Sequence, residues 1–231
     1  MTTNAFNKTL IALLGALALS IAAPAQATPI DLTISVTKST YRVRGTETAA
    51  DLLAAHEAGA LVCTAAVGEL TNIGSVQTCG GARRNYSLRA DATFVVTTAA
   101  TFDFQVGADW GRGGGVILED LHDGSSELLQ LRTDDIWWAR RWSHGDVFNT
   151  EVELDEGAYR VTWVGFENCC GGTTDFRVSI DGGDYEAFSA DYVAPYVAYY
   201  DSATMRPVPA PAPTAALAAL FALLRIRRRV R

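Results

Sequence analysis

Apolar and polar residues alternate along much of this chain with the period of two that marks a half-buried β-strand. The run Leu32-Thr33-Ile34-Ser35-Val36 alternates strictly, and a shorter alternation follows at Tyr41-Arg42-Val43; both predict edge-type strands. The period changes over 46–59, where Ala49, Leu52, Leu53 and His56 recur at helical spacing behind a threonine cap, with Gly59 as terminator. One short helix is expected there, with His56 on its surface or boundary. From Tyr86 the strand signal strengthens. Residues 93–96 and 101–106 are rich in β-branched and aromatic side chains, and further strands are expected over 116–119, 127–131, 148–154, 158–166, 174–180 and 185–188. Turns at Asp155-Glu156-Gly157 and Asp181-Gly182-Gly183 separate the later ones. Many short strands at close spacing, with one early helix, predict an antiparallel β-sandwich.

Two stretches interrupt the alternation. Asp109-Trp110-Gly111-Arg112-Gly113-Gly114-Gly115 is a glycine-rich turn. No Gly-Lys-Ser/Thr ending and no helix follow it, so a hairpin loop is expected rather than a phosphate cradle. The segment 134–172 then gathers Asp134, Asp135, Trp137, Trp138, Arg140, Arg141, Trp142, Trp163 and the sequence Glu167-Asn168-Cys169-Cys170-Gly171-Gly172. Three of the five tryptophans fall within six residues. That is a concentration of rigid aromatic surface suited to a binding platform.

Charge separates the body from the ends. The formal net charge is −7 over 231 residues. Setting aside Lys8 and the five arginines at the extreme C-terminus leaves 13 basic against 26 acidic residues between Thr28 and Arg206, a net of −13. A body that acidic repels phosphate backbones, which excludes nucleic acid as a partner.

The N-terminus predicts export. Lys8, an apolar run from Leu10 to Ala23, Pro24 and the triplet Ala25-Gln26-Ala27 form a secretory signal peptide over 1–27, the substrate of the Sec machinery. Export makes disulfides the default for Cys63, Cys79, Cys169 and Cys170. Closing the sixteen-residue separation between Cys63 and Cys79 would stabilise an otherwise weakly held, glycine-marked segment by roughly 3 kcal/mol, so that bridge is expected. Cys169 and Cys170 either close on each other as a vicinal disulfide or bridge separately to the other two; metal ligation lacks a nearby histidine.

Beyond the body at 28–206, residues 207–213 form a proline-rich linker, and 214–231 combine a short apolar helix with an arginine-rich end. The apolar run is about half the roughly twenty residues a stable span requires. This layout resembles the PEP-CTERM family of sorting signals. The sorting motif would be Val208-Pro209-Ala210-Pro211, with Ala210 where the family carries an acidic residue. The resemblance implies processing by an exosortase-like enzyme in a Gram-negative bacterium, transient anchoring in the inner membrane, and a final place at the cell envelope or outside the cell. Cys169-Cys170-Gly171-Gly172, following Gly165-Phe166-Glu167, is similar to a Cys-Cys-Xaa-Gly subgroup of such exported proteins, a resemblance that spans about 86–188 and implies no activity.

The body also resembles the jelly-roll, lectin-like sandwiches of protective-antigen and flocculin-like adhesin domains. That resemblance implies sugar binding through Ca²⁺, with Asp109, or the pair Asp134 and Asp135, as metal ligands. Trp110, Trp137, Trp138 and Trp142 are candidates for a platform under a sugar ring, with Arg140 and Glu167 to bond hydroxyls, and exopolysaccharide is the expected partner. In alternation either Trp137 or Trp138 must face the core, as must Trp163. Catalysis is not expected. His56, His122 and His144 stand in no recognisable nucleophile setting, and no carboxylate pair marks a glycoside hydrolase.

Overall fold

The fold is that of a computed structural model, which describes residues 29–81, 83–201 and 204–208. The signal peptide, the sorting motif beyond Val208, the rest of the linker and the arginine-rich tail lie outside the described residues. Along the chain come β1 (Ile30–Lys38), α1 (Ala49–Glu57), β2 (Leu61–Ala66), α2 (Ser75–Cys79), β3 (Tyr86–Val96), β4 (Ala100–Trp110), β5 (Gly114–Asp120), β6 (Ser126–Arg132), β7 (Ile136–Trp137), β8 (Phe148–Leu154) and β9 (Gly157–Glu167). They are followed by β10 (Thr174–Ile180), β11 (Glu186–Ala187), α3 (Ala190–Val193), β12 (Val197–Ala198), β13 (Tyr200–Asp201) and β14 (Arg206–Pro207).

The strands form the expected antiparallel sandwich. One sheet runs β2-β1-β3-β9-β5-β6, with β12 added beside β3; the other runs β11-β10-β4-β7, with β8 also paired to β4. Inward side chains of both sheets share one core. Phe94, Phe102, Phe104, Phe176 and Phe188 pack ring against ring at its centre. A smaller core lies on the outer face of the larger sheet, where α1 sets Ala49 and Leu52 against Val43, Ile117, Val164 and Phe166. This second core explains why Val161 to Glu167 of β9 is buried without alternation: both faces of the strand are covered.

The helix forms as its sequence dictates. Thr48 accepts from the Asp51 amide while the Asp51 carboxylate accepts from the Thr48 amide, a reciprocal cap. His56, however, is not on the surface. It is 3% exposed, its ring bonded to Ser35 Oγ (2.9 Å) and Ser87 Oγ (2.8 Å).

Three further expectations are corrected. β1 is an interior strand between β2 and β3, and the edge is β2, whose small, weakly alternating residues carry little strand signal. Tyr41-Arg42-Val43 is not a strand. The Tyr41 amide donates to Ser39 Oγ and the Val43 amide to Arg112 O, and just beyond them the Glu47 carboxylate takes the amides of Arg44, Gly45 and Thr46, so no ladder forms here. The glycine-rich run is not a hairpin either: β4 and β5 belong to different sheets, and the turn crosses between them. Gly114 and Gly115 are pressed against Trp163 and Leu52, leaving no room for a side chain on either face.

The sandwich has two distinct ends. Lys38, Tyr86 and Glu167 lie in register at one, with Trp110 and Gly114 beside them. Ile30 sits in the far half of its strand opposite Phe94, and Val95 and Val96, paired to β12, mark the other end. The segment Thr204 to Pro207 also lines a hollow with Val96, His122 and Gly157 there. Both chain ends of the described body therefore leave opposite the Trp110–Glu167 end. No helix among the described residues is long and apolar enough to cross a membrane.

Candidate functional site

The last residues of β4 and β9 and the loops after them build a cleft of about 560 Å³ at that end. Its walls include Arg42, Asp109, Asp134, Asp135, Glu167 and Cys170. The spatial grouping follows from pairing: Asp109 stands opposite Trp137 in the β4–β7 ladder, which carries Asp134 and Asp135 to the mouth of the same cleft. The loop after β9 is drawn in by the Asp109 amide, which donates to Thr173 O at 3.0 Å. Gly172 makes this approach possible, since a Cβ there would run into the Asp109 carbonyl and the Glu167 carboxylate.

Glu167 forms the floor. It is 3% exposed, and its carboxylate accepts the amides of Asn168 (2.7 Å), Cys169 (2.9 Å) and Gly111 (3.4 Å). Burial pushes its carboxyl above the usual range, against the pull of those amides, and Asp109 pushes the same way. Asp109 is likewise raised by burial of its carboxyl and then by Asp135, while Arg140 lowers it. The cleft concentrates negative charge with little internal compensation.

Both cysteine pairs are closed: Cys63 with Cys79, and Cys169 with its neighbour Cys170. The vicinal pair lines the cleft, with Cys170 exposed in a left-handed conformation (φ 73°). Tyr86 supports the loop from below, donating to Gly172 O at 3.1 Å. The residues leading into α2 support it from the side: Ile73 and Thr174 exchange amide bonds of 2.9 and 2.8 Å, and Gly74 abuts Gly172 O.

A second hollow of about 440 Å³ adjoins the first across Asp109 and is lined by Trp137, Trp138, Ala139, Arg140, Gly171 and Thr173 among others. Trp137 is 59% exposed at its edge. Ala139 and Arg140 are both left-handed (φ 54° and 53°), a costly conformation outside glycine that turns the chain sharply after the tryptophans.

The other candidate tryptophans have different surroundings. Trp110 is fully buried, its indole donating to Thr174 Oγ1 at 2.6 Å, so it holds up the cleft instead of offering a ring. Trp138 is 4% exposed and lies flat over Gly107, which cannot carry a Cβ beneath it. Trp142 is half-buried against Trp138, with the Arg177 guanidinium 4.1 Å over its ring. Trp163 is in the core, as alternation requires. Of the aromatic candidates, Trp137 alone presents a wide surface beside the cleft. The sequence places Arg42 in a short alternation with nothing nearby to mark a distant wall, and only the fold brings it to the cleft.

The donor set does not fit a metal centre. Among the described residues no three His, Cys, Asp or Glu side chains converge to hold an ion. Glu167 spends both oxygens on amides, and Asp109, Asp134 and Asp135 line the same cleft. His56 also forms no catalytic pair: its Ser87 partner is fully buried.

No protein-family model matches the chain, and neither does any curated protein. Among solved structures the chain is similar to the PA14 sugar-binding domain from an RTX adhesin, at 16% identity over 70% of this chain and 96% of that one, with a TM-score of 0.46. It is also similar to the A domain of epithelial adhesin 6 from Candida glabrata in complex with Galβ1-3GlcNAc, at 10% identity over 82% and 95%, TM-score 0.49. A further match is the PA14 domain of the MpAFP antifreeze protein, at 13% identity over 73% and 93%, TM-score 0.45.

Proposed function

We propose that this chain is an exported, non-enzymatic protein of the cell envelope or extracellular matrix that binds polysaccharide in the cleft at the Trp110–Glu167 end. The observation that carries the reading is Trp137, exposed beside a polar hollow with carboxylates and Arg140 around it. A flat aromatic ring next to hydrogen-bonding side chains suits a sugar, whose ring faces are apolar and whose rim is hydroxylated. Two closed disulfides suit an oxidising compartment. Export through the signal peptide and processing of the tail by an exosortase-like enzyme complete the proposal and rest on the sequence patterns at 1–27 and 207–231.

The test is a glycan and exopolysaccharide array on the purified chain, run with Ca²⁺ and with chelator, beside the Trp137→Ala variant. Binding that survives chelator and is lost with Trp137→Ala is the expected result. Binding abolished by chelator would overturn the metal-free site, and silence in every condition would leave a structural surface protein.

A further inference from the structure

A hollow of about 1050 Å³ at the cleft end lies between residues 38–47 and the flank of α1. Lys38, Tyr41, Arg42, Arg44, Glu47 and Asp51 are among its walls. Its two acids are already engaged. Glu47 accepts from the Arg44, Gly45 and Thr46 amides and from Tyr41 Oη, and Asp51 accepts from the amide and hydroxyl of Thr48. Its three cations are not: among the described residues Lys38, Arg42 and Arg44 form no ion pair. Glu47 and Asp51 keep their charge while accepting those bonds, so the walls carry three positive against two negative charges, a small positive excess in a body with a net charge of −13. Arg42 also lines the acidic cleft, so the basic hollow, the cleft and the Trp137 hollow follow one another around the end of the sandwich.

We propose that this basic hollow is a second subsite, which takes the carboxylate groups of an acidic polysaccharide whose neighbouring sugars occupy the cleft and the Trp137 hollow. The inference rests on the glycan-binding reading and deepens it. Volumes of about 1050, 560 and 440 Å³ in sequence exceed what one or two sugars fill and select a polymer segment over a terminal residue. The sign pattern sets the order along the chain. Carboxylates are repelled from Asp109, Asp134 and Asp135, where neutral hydroxylated rings are accepted. They are attracted to the unpaired guanidinium groups of Arg42 and Arg44, which can hold a carboxylate by two parallel bonds.

The experiment compares oligogalacturonates with neutral galacto-oligosaccharides of matched lengths by titration calorimetry on the purified chain, at low and high salt. The acidic oligomers are expected to bind about tenfold tighter once long enough to reach both hollows, with the gain lost in high salt. Arg42→Ala combined with Arg44→Ala should remove that gain, bringing acidic and neutral oligomers to the same affinity, whereas Trp137→Ala should weaken both ligand classes. Both arginines are exposed, and it is the Arg44 backbone that bonds Glu47, so the variant keeps its fold; near-UV circular dichroism checks this. Equal affinity for acidic and neutral oligomers, or a gain that the arginine replacements leave intact, would overturn the second subsite without touching glycan binding. Failure of every oligomer to bind would overturn both.

Discussion

His56 sits between Ser35, Thr37 and Ser87, and desolvation holds its imidazole down to about 4 from an ordinary value near 6.5. Arg89 depresses it further, while Asp91 pulls the other way. The neutral ring is therefore the folded form. Stability is complete above about pH 6.5 and falls as pH drops towards 4, because the unfolded chain takes up a proton that the folded one refuses. The loss amounts to about 3 kcal/mol. Urea unfolding across that range should show the decline, and His56→Gln should flatten it. Glu167 has the opposite sign: its raised carboxyl favours the protonated form in the folded state, and that contribution fades as pH rises through the folded value. Trp137 and Trp138 illustrate a different point. They are neighbours on opposite faces, one exposed and one sealed over Gly107. Trp137→Ala should leave the thermal midpoint nearly unmoved, while Trp138→Ala should cost about 3 kcal/mol or more through the void it leaves. Differential scanning calorimetry separates the two.

Among the elements, the loop after β9 depends on parts of the chain far from it in sequence. Cys63–Cys79 ties β2 to α2, and Ile73 and Gly74, which lead into α2, are packed against the loop. Replacing Cys63 and Cys79 together by serine should lower stability by roughly 3 kcal/mol and weaken glycan binding as well. Replacing Cys169 and Cys170 should cost far less stability, since a ring between neighbours closes no loop. β4, β8, β9 and β10 were legible because their alternation or apolar runs are strong and their turns are marked by Asp and Gly. β2, α2 and the irregular course of 39–48 were not, because what fixes them is tertiary: a disulfide, a bridge to Thr174 and the Glu47 carboxylate. The candidate site divides along the same line. Asp109, Asp134, Asp135, Glu167 and the cysteine pair do meet, as the clustering of unusual residues suggested. Arg42 reaches them only through the fold, and Trp110 was misplaced because the strand before it continues through Trp110, turning its ring inward.

At the scale of the whole molecule, β9 spans eleven residues, about 35 Å of extended chain, between the hollow beside Thr204 to Pro207 and the cleft. Immobilising the chain on a sensor through its C-terminus should therefore leave glycan binding intact, while coupling through Arg140→Cys should block it. Because both chain ends of the body depart from one pole, copies held side by side by their tails would all turn their clefts outward. A polysaccharide strand could then be gripped by many of them at once. Contacts too weak to last individually would add up to durable adhesion, and the strength of that hold would be set by how densely the protein is displayed as much as by any residue in the cleft.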